Sequence, residues 1–234
     1  MFRNAIEGIN EIFKNDISRG KLVLVSGGPG TLKSAFVYTT LLKHVTNADE
    51  YGLYITLEET KNELTENLQS LGIKSNAKLH ISDYTEIRED LDAKGENVDY
   101  IQLIEQTVEL FKDDVGDAFS CVVIDSLNSL YSLMDTKNLR KTMFRFFKKL
   151  KNMNLTTLVI KESILPGTQI LDGGEEYLAD GIVELGTIET YENVTRYIQI
   201  KKMRGVSHGM KKFQIEVSNK GLSIVGEAYS VRSR

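Results

Sequence analysis

The stretch Ser26–Ser34, SGGPGTLKS, combines glycines with a lysine and a hydroxyl side chain. It nearly fits the phosphate-binding pattern G-x-x-x-x-G-K-[ST], which begins here at Gly27 and ends at Lys33 and Ser34. In such a loop the backbone amides surround the phosphates, the lysine contacts the β- and γ-phosphates, and the hydroxyl binds Mg²⁺. The stretch therefore predicts a site for ATP and Mg²⁺. Its expected binding residues are Gly28, Pro29, Gly30, Thr31, Leu32, Lys33, Ser34 and Ala35.

One position departs from the pattern, because Leu32 stands where the glycine before the lysine is expected. If the backbone there needs a positive φ, leucine is strained by roughly 1–2 kcal/mol. If Leu32 already has the conformation of the first helical turn, it fits with little strain and can turn its side chain away from the phosphates. Since the lysine, the serine and the other glycines are intact, we expect a site that still binds ATP.

A metal-binding partner for this loop is expected at the end of a second apolar strand. FSCVVIDS, residues Phe119–Ser126, has the strongest strand pattern in the chain and carries Asp125 near its carboxyl end. A carboxylate there holds Mg²⁺ through the water shell of the ion, while Ser34 contacts the ion directly. The alternative is that the glycines only form a turn between a strand and a helix.

Strands and helices alternate along the chain, which is typical of a mostly parallel α/β sheet. Short apolar runs predict the strands, and helical spacing or capping signals predict the segments between them. The strands are expected at Lys21–Ser26, Leu53–Glu58, Lys78–Tyr84, Phe119–Ser126 and 155–161. The helices are expected from Lys33 to about Thr46, from Lys61 to about Leu71, over Val98–Phe111 and over Lys137–Met153. Thr60 and Glu63 form a capping-box pattern at the start of the second helix.

The segment after Gly181 has a different character, because turns and not helices separate its strand patterns. IVELG, RYIQIKK and KKFQIEVSNKGLSIV predict an antiparallel meander that closes one edge of the sheet. The expected fold class is therefore α/β, with a P-loop core followed by this meander. We expect one domain over residues 1–234, with a short loose tail from about 227.

Composition and charge restrict the classes of function. The 234 residues carry a formal net charge of −4, which gives no global reason to bind nucleic acid or anionic lipid. No apolar stretch approaches the length of a membrane-spanning helix, and the N-terminus lacks the order of a signal peptide. A single cysteine, Cys121, suits a reducing cytoplasm, and the three isolated histidines show no metal-ligand spacing. We expect a cytoplasmic protein without a membrane contact.

Several stretches together resemble the KaiC-like branch of the RecA/RadA ATPase superfamily. They follow the order of the family from about Glu7 to Val225, and KMRG-x-x-H after an EEYLADG segment is the more specific match, since P-loops are common. The matching stretches are EGINEIF-x-x-x-ISRG, SGGPGT-x-KS, YITLEET, VVIDSLNSL, EEYLADGIVEL and KKMRGVSH. The resemblance implies a RecA-like core, ATP bound between neighbouring subunits, and a homo-oligomer in the form of a hexameric ring.

The resemblance also implies a role for two acidic residues that spacing alone does not assign. Glu58 and Glu59, at the carboxyl end of the second predicted strand, match the family's paired acidic residues that activate the attacking water. A carboxylate at a strand end beside the loop is placed to accept or orient a water proton. The alternative is that both residues only favour the start of the following helix.

The resemblance implies that three further residues act at the γ-phosphate. Lys202 and Arg204, within KKMRGVSH, match family positions that reach this phosphate on the adjacent subunit. A guanidinium supplied in trans stabilises the charge that develops on the transferred phosphoryl group. His208 matches a family histidine near the same phosphate. The alternatives are a solvated edge strand for the first two residues and an ordinary surface histidine for the third.

Some positions depart from the family pattern beyond Leu32. Asn10 replaces an aspartate of the N-terminal motif, and Lys14-Asn15-Asp16 replaces a glycine pair. The stretch LDGGEEYLAD contains no clear counterpart of the Ser-Thr pair that is phosphorylated in the family's clock members. These departures bear on the rate and on the adenine contacts more than on the fold.

The predicted helix over Lys137–Met153 has a basic side, which is able to meet a phosphate backbone. Phe144 and Phe147 are expected near its apolar stripe, so no aromatic residue is expected on that side for base stacking. We favour a solvated face, or one that meets the acidic segment Glu86–Asp117 of a neighbouring subunit. The basic residues are Lys137, Arg140, Lys141, Arg145, Lys148, Lys149 and Lys151.

The combined prediction is an ATPase that binds Mg-ATP, hydrolyses ATP slowly between subunits and regulates a partner protein. Two alternatives stay open. Leu32 favours an ATP-dependent scaffold that does not hydrolyse, as in archaellum-motor relatives, whereas the intact pair Glu58 and Glu59 argues against it. The basic helix favours a recombination modulator on single-stranded DNA, resembling RadA paralogues, whereas the net negative charge argues against it.

Overall fold

The computed structural model describes residues 1–88, 98–134, 137–163, 174–189 and 193–228. Within these ranges nine strands form a single sheet. The strands are β1 (Leu22–Gly27), β2 (Tyr51–Thr56), β3 (Leu79–Asp83), β4 (Phe119–Asp125), β5 (Thr156–Glu162), β6 (Gly181–Glu189), β7 (Val194–Met203), β8 (Phe213–Ser218) and β9 (Gly221–Glu227). Their order across the sheet is β3-β2-β4-β5-β1-β6-β7-β8-β9.

Six α-helices have both ends within the described ranges. They are α1 (Lys33–Ala48), α2 (Lys61–Ser70), α3 (Tyr100–Val115), α4 (Leu127–Ser132), α5 (Leu139–Asn152) and α6 (Glu175–Leu178). Local chemistry explains where several begin. The predicted capping box at α2 is confirmed, since Thr60 and Glu63 each bind the backbone amide of the other. The side chains of Asp99 and Ser126 cap α3 and α4 by accepting from the backbone amides of Gln102 and Ser129.

The strands divide into a parallel part and an antiparallel part. The six strands from β3 to β6 in the sheet order pair in parallel, while β6, β7, β8 and β9 pair antiparallel. Parallel pairing needs a crossover, which helices supply here, whereas the antiparallel strands are joined by short connections. The predicted α/β core with a C-terminal meander is therefore confirmed. All carboxyl ends of the parallel strands lie at one edge of the sheet.

The sheet is covered on both faces, and its strand residues alternate between two cores. Val23 and Val25 of β1 face a core that contains α1, α2 and the N-terminal segment. Leu22 and Leu24 face a second core that contains α3, α4 and α5. Cys121 is completely buried in the first core, as its strand pattern predicts. The core on the α1 face therefore anchors the loop that follows β1.

The predicted position of one aromatic residue is wrong. Phe147 is 3% exposed within the apolar stripe of α5, but Phe144 is 50% exposed. The buried stripe of α5 runs through Leu139, Met143, Phe146 and Leu150, and Phe144 lies beside it. An aromatic ring is thus present on the surface of the basic helix.

Two remaining expectations concern the surface. Within the described ranges, no helix is both long enough and apolar enough to cross a membrane. The predicted loose tail lies outside the described residues, except for Glu227 and Ala228.

Candidate functional site

The loop between β1 and α1 is held tightly at its start. A Cβ atom on Gly27 would lie 2.3 Å from the carbonyl oxygen of Leu185, so only glycine allows β1 and β6 to approach this closely. Thr31 is buried and donates its hydroxyl to the Gly28 carbonyl at 2.8 Å. Above the loop, a Cβ on Gly28 or Gly30 would meet no atom within 4 Å. The loop is therefore packed against β6 at Gly27, and the space beside Gly28 and Gly30 is open.

Leu32 occupies the backbone conformation that glycine favours. Its φ and ψ are 71° and 26°, in the left-handed region, so the helical alternative for this position is wrong. Its side chain is partly buried and packs against the core on the α1 face. Burial of the isobutyl group offsets part of the left-handed strain, which is about 1–2 kcal/mol. The leucine thus strains the backbone without filling the space above Gly28 and Gly30.

We expect Leu32→Gly to be more stable than Leu32→Ala by about 1 kcal/mol. Both variants lose the same packing of the isobutyl group, but only alanine keeps a Cβ atom in the left-handed region. Urea unfolding of the two variants measures the difference. An alanine variant as stable as the glycine variant would contradict the left-handed conformation of this position in solution.

The start of α1 fits a phosphate group. Leu32, the N-cap of this 16-residue helix, provides no side-chain hydrogen bond, so the amides of the first turn keep their capacity to bind an anion. The Lys33 Nζ atom donates to the Gly28 carbonyl at 3.0 Å and lies 3.9 Å from a Glu162 carboxylate oxygen. The lysine is therefore placed over the loop, between the ends of β1 and β5.

The oxygen atoms beside the loop fit Mg²⁺. The Ser34 hydroxyl donates to Asp125 Oδ2 at 2.8 Å, which joins the start of α1 to the end of β4 across the intervening β5. A hydroxyl and a carboxylate are the ligand types that this ion prefers. Burial raises the pKa of Asp125 to about 6, and the negative charges of Glu58 and Glu59 act in the same direction. A cation bound here would oppose both effects.

Glu58 and Glu59 follow β2 at the same edge of the sheet, and both are exposed. The Glu58 carboxylate accepts hydrogen bonds from the hydroxyls of Ser126 and Ser129 at the start of α4. The Glu59 carboxylate makes no hydrogen bond or ion pair with any residue in the described ranges, although its backbone carbonyl accepts one from Thr56 at 2.6 Å. The two acidic residues therefore differ, one held in place and one free.

Lys202 and Arg204 lie at the other end of the sheet from the loop of their own chain. Lys202 pairs with Ile182, which pairs with Leu24, and the Arg204 amide donates to the Asp180 carbonyl beyond the start of β6. At about 3.3 Å per residue, the backbone offset from Gly27 to the level of Arg204 is about 16 Å. Their side chains bind carbonyl groups of α6, Lys202 that of Glu176 at 2.9 Å and Arg204 that of Tyr177 at 3.2 Å.

His208 also contacts another part of the chain. Its backbone bridges to Phe13 of the N-terminal segment, and its Nδ1 lies 3.2 Å from the Gly209 carbonyl oxygen. Within the described residues it makes no hydrogen bond to the loop of its own chain. The structure thus brings the loop, Asp125 and the two glutamates together, and places Lys202, Arg204 and His208 apart from them.

Asp180 joins the elements that hold Arg204. Its Oδ2 atom accepts from the Leu22 amide at 3.0 Å and from Lys151 Nζ at 2.7 Å, and its Oδ1 lies 3.7 Å from Arg204. Burial acts to raise the pKa of Asp180, but the hydrogen bonds from Lys151 and Leu22 outweigh it and hold the pKa below its ordinary value of 3.8. The ionised carboxylate is therefore part of the folded state.

We expect Asp180→Asn to lower the free energy of unfolding by about 1–3 kcal/mol at pH 7, because a neutral amide loses the charge that strengthens the bond from Lys151 and points an NH₂ group at Arg204. A folded-state pKa below the unfolded one stabilises the protein above the unfolded value, and this contribution is lost as pH falls through the folded value. The variant should therefore lose less stability than the wild type below pH 4. Urea unfolding from pH 7 to pH 3 measures this, with exposed Asp113→Asn as the control. Equal acid sensitivity of both proteins would contradict it.

Two residues beside the loop were not predicted from the sequence. Arg196 of β7 donates its Nε to the Gly30 carbonyl at 3.0 Å, and Tyr54 of β2 donates its hydroxyl to Asp125 Oδ2 at 2.5 Å. No local pattern distinguishes either residue, because both contacts depend on the pairing of strands that are distant in sequence. The alternation in β2 indicates only that Tyr54 shares a face with Thr56.

Comparisons with known proteins show the family and the fold of the chain. The family model described as "ATPase: KaiC" matches residues 2–229. The chain is 29% identical over 229 residues to the circadian clock oscillator protein KaiC of Synechococcus elongatus, covering 95% of this chain and 43% of that protein. It is 28% identical over 232 residues to KaiC 1 of Synechocystis, with the same coverage of both chains. The chain thus spans less than half the length of these relatives.

A solved structure extends the similarity to the fold. The crystal structure of a KaiC-like protein from Pyrococcus horikoshii OT3 superposes with a TM-score of 0.75 at 26% identity, covering 94% of this chain and 96% of that one. At this coverage the similarity includes the parallel core and the antiparallel strands. The chain belongs to the KaiC ATPase family, with a RecA-type α/β fold.

Proposed function

We propose that this protein binds Mg-ATP, hydrolyses it slowly at the interface between two subunits, and uses this cycle to regulate a partner protein. The observation that carries the proposal is the separation of two half-sites on one chain. One end of the sheet carries Lys33, Ser34 and Asp125, while Lys202 and Arg204 lie at the other end. A ring of identical subunits in head-to-tail contact joins the two halves. We propose a hexamer.

In the first half-site, Lys33 and the amides from Gly28 to Ala35 bind the phosphates of ATP. The open space above Gly28 and Gly30 supports this, as does the uncapped start of α1. Ser34 and Asp125 would hold Mg²⁺ beside these phosphates. When bound, Mg²⁺ neutralises charge on the phosphate oxygens.

Two acidic residues handle the attacking water. The free carboxylate of Glu59 accepts the water proton, while Glu58, which two serine hydroxyls hold, orients the water. From the neighbouring subunit, Lys202, Arg204 and His208 contact the γ-phosphate, and the guanidinium stabilises the charge that develops on it. Turnover requires an assembled interface, because the fold of one chain keeps these two groups of residues apart.

The test is phosphate release from Mg-ATP over a range of protein concentrations, with Lys33→Ala as the blank. We expect release that rises faster than linearly with concentration and is absent in the blank. Release proportional to concentration would contradict a shared site. No release above the blank, with ATP still bound, would favour the non-hydrolysing scaffold, and loss of binding would mean that Leu32 closes the site.

The exposed ring of Phe144 favours a second candidate, a surface for single-stranded nucleic acid. Phe144 is 50% exposed on α5, close to the basic residues Arg140, Lys141 and Lys148, and such an arrangement allows base stacking between phosphate contacts. Labelled single-stranded DNA should then bind with an affinity that falls steeply with salt, and Phe144→Ala should weaken it. Absence of binding at low salt would exclude this candidate.

A further inference from the structure

Tyr54 places a buried hydroxyl against the candidate metal site. It lies in the middle of β2, is completely buried, and contacts the ring of Tyr38 at 5.7 Å between centroids. In the sheet Tyr54 is opposite Val123, two residues before Asp125. Side chains two residues apart in a strand lie on the same face, so the phenol is diagonal to the Asp125 carboxylate. Its hydroxyl donates to Oδ2 at 2.5 Å.

The hydrogen-bond partner of the Tyr54 hydroxyl indicates the role of this residue. A buried phenol usually has a hydrogen-bond partner, and a phenylalanine would fill the same space without one. Here the partner is the carboxylate that faces Ser34. A phenol keeps its proton at neutral pH, so Tyr54 is the donor and the carboxylate the acceptor.

Two hydroxyls converge on one oxygen of Asp125. Ser34 donates to Oδ2 at 2.8 Å and Tyr54 at 2.5 Å, whereas Oδ1 accepts no hydrogen bond from the described part of the chain. The phenol thus fixes the rotation of the carboxylate from the core side, and Oδ1 keeps its lone pairs for other donors. A hydroxyl has two lone pairs besides its proton, so Ser34 can donate to Oδ2 and still present oxygen to a cation.

We propose that Tyr54 is a positioning residue for Mg²⁺, acting through Asp125. Its hydroxyl holds the carboxylate so that Oδ1 faces the water shell of the ion and Oδ2 orients the Ser34 hydroxyl. The proposal rests on the proposed function, since it concerns the same metal site. Groups that orient metal-binding residues typically change metal affinity by 10–100-fold when they are removed.

Tyr54→Phe tests this role, because it removes only the hydroxyl. Tyr38→Phe is a matched control, since Tyr38 is also buried and adjoins the same ring, but its hydroxyl makes no hydrogen bond within the described residues. The half-saturating Mg²⁺ concentration is measured by binding of a fluorescent ATP analogue. Mn²⁺ affinity in the ATP complex is measured independently by electron paramagnetic resonance. Thermal unfolding checks that both variants fold.

We expect the half-saturating Mg²⁺ and Mn²⁺ concentrations to rise about tenfold in Tyr54→Phe and to stay unchanged in Tyr38→Phe. Binding of the ATP analogue in EDTA should be equal in all three proteins. Equal metal dependence in the two variants would overturn the role of Tyr54, even if Tyr54→Phe lowered the melting temperature. A wild type that binds no Mg-ATP would overturn the proposed function itself, and the role of Tyr54 with it.

Discussion

Replacing Lys33 by alanine is expected to abolish ATP turnover and to weaken ATP binding by about 100-fold or more. The Lys33 ammonium lies over the loop, 3.0 Å from the Gly28 carbonyl oxygen and 3.9 Å from Glu162. Bonds from an ammonium to phosphate oxygens contribute about 1.5–3 kcal/mol each, so two of them account for this factor. Their loss also leaves the Glu162 carboxylate close to the phosphates without an opposing charge.

Calorimetric titration with Mg-ATP and a phosphate-release assay measure the two effects. Lys43→Ala is the matched control, because it removes an exposed lysine from the same helix, outside the loop. We expect wild-type binding and turnover in this control. Similar ATP affinity in Lys33→Ala and Lys43→Ala would mean that the loop does not bind the phosphates.

Replacing Arg204 by alanine is expected to lower turnover by about 1,000-fold while ATP affinity changes only a few-fold. An arginine supplied across an interface acts mainly on the charge of the transition state, and its removal has effects of this size. In its own chain Arg204 lies level with Leu22, at the opposite end of β1 from the loop. The nucleotide bound to that chain therefore keeps its Lys33 and loop contacts.

Lys201→Ala controls for the loss of a cation from the same strand, since Lys201 is exposed and pairs with Glu184 at 3.4 Å. Its turnover should remain close to that of the wild type. Arg204 also binds the Tyr177 carbonyl, so thermal unfolding must confirm that Arg204→Ala folds. Unchanged turnover in a folded Arg204→Ala protein would exclude the role of this residue in trans.

Mixing the two inactive variants distinguishes action across the interface from action within one chain. In a ring assembled from equal amounts of Lys33→Ala and Arg204→Ala chains, about a quarter of the interfaces combine an intact loop with an intact arginine. We expect turnover to return to about a quarter of the wild-type level after the variants are mixed and reassembled. If both residues acted on the same chain, no mixture would contain an intact site, and activity would stay absent.

The strand that carries Arg204 also contacts the loop of its own chain. Arg196, near the other end of β7, donates to the Gly30 carbonyl at 3.0 Å, while Lys202 and Arg204 extend from the last residues of the strand and beyond. In a ring of such subunits, one strand would lie between two successive nucleotide sites. This arrangement follows from the pairing of β6 and β7 in the sheet.

The sequence by itself determined the order of the elements and the core of the loop site. Short apolar runs, the capping box of Thr60 and Glu63, and the change of pattern after Gly181 are local signals, and the structure confirms the elements they predict. Lys33, Ser34 and Asp125 could be assigned as candidates because each has a defined place at the end of a strand or the start of a helix. These positions can be recognised within short contiguous stretches of the sequence.

Only the tertiary structure decided the backbone of Leu32, the exposure of Phe144 and the contacts of Tyr54 and Arg196. The φ angle of Leu32 depends on how α1 is docked over the end of β1, and a helical pattern does not report it. The other contacts depend on which strands are neighbours and in what register. Register and docking result from packing between segments distant in the chain, and no single stretch of sequence contains that information.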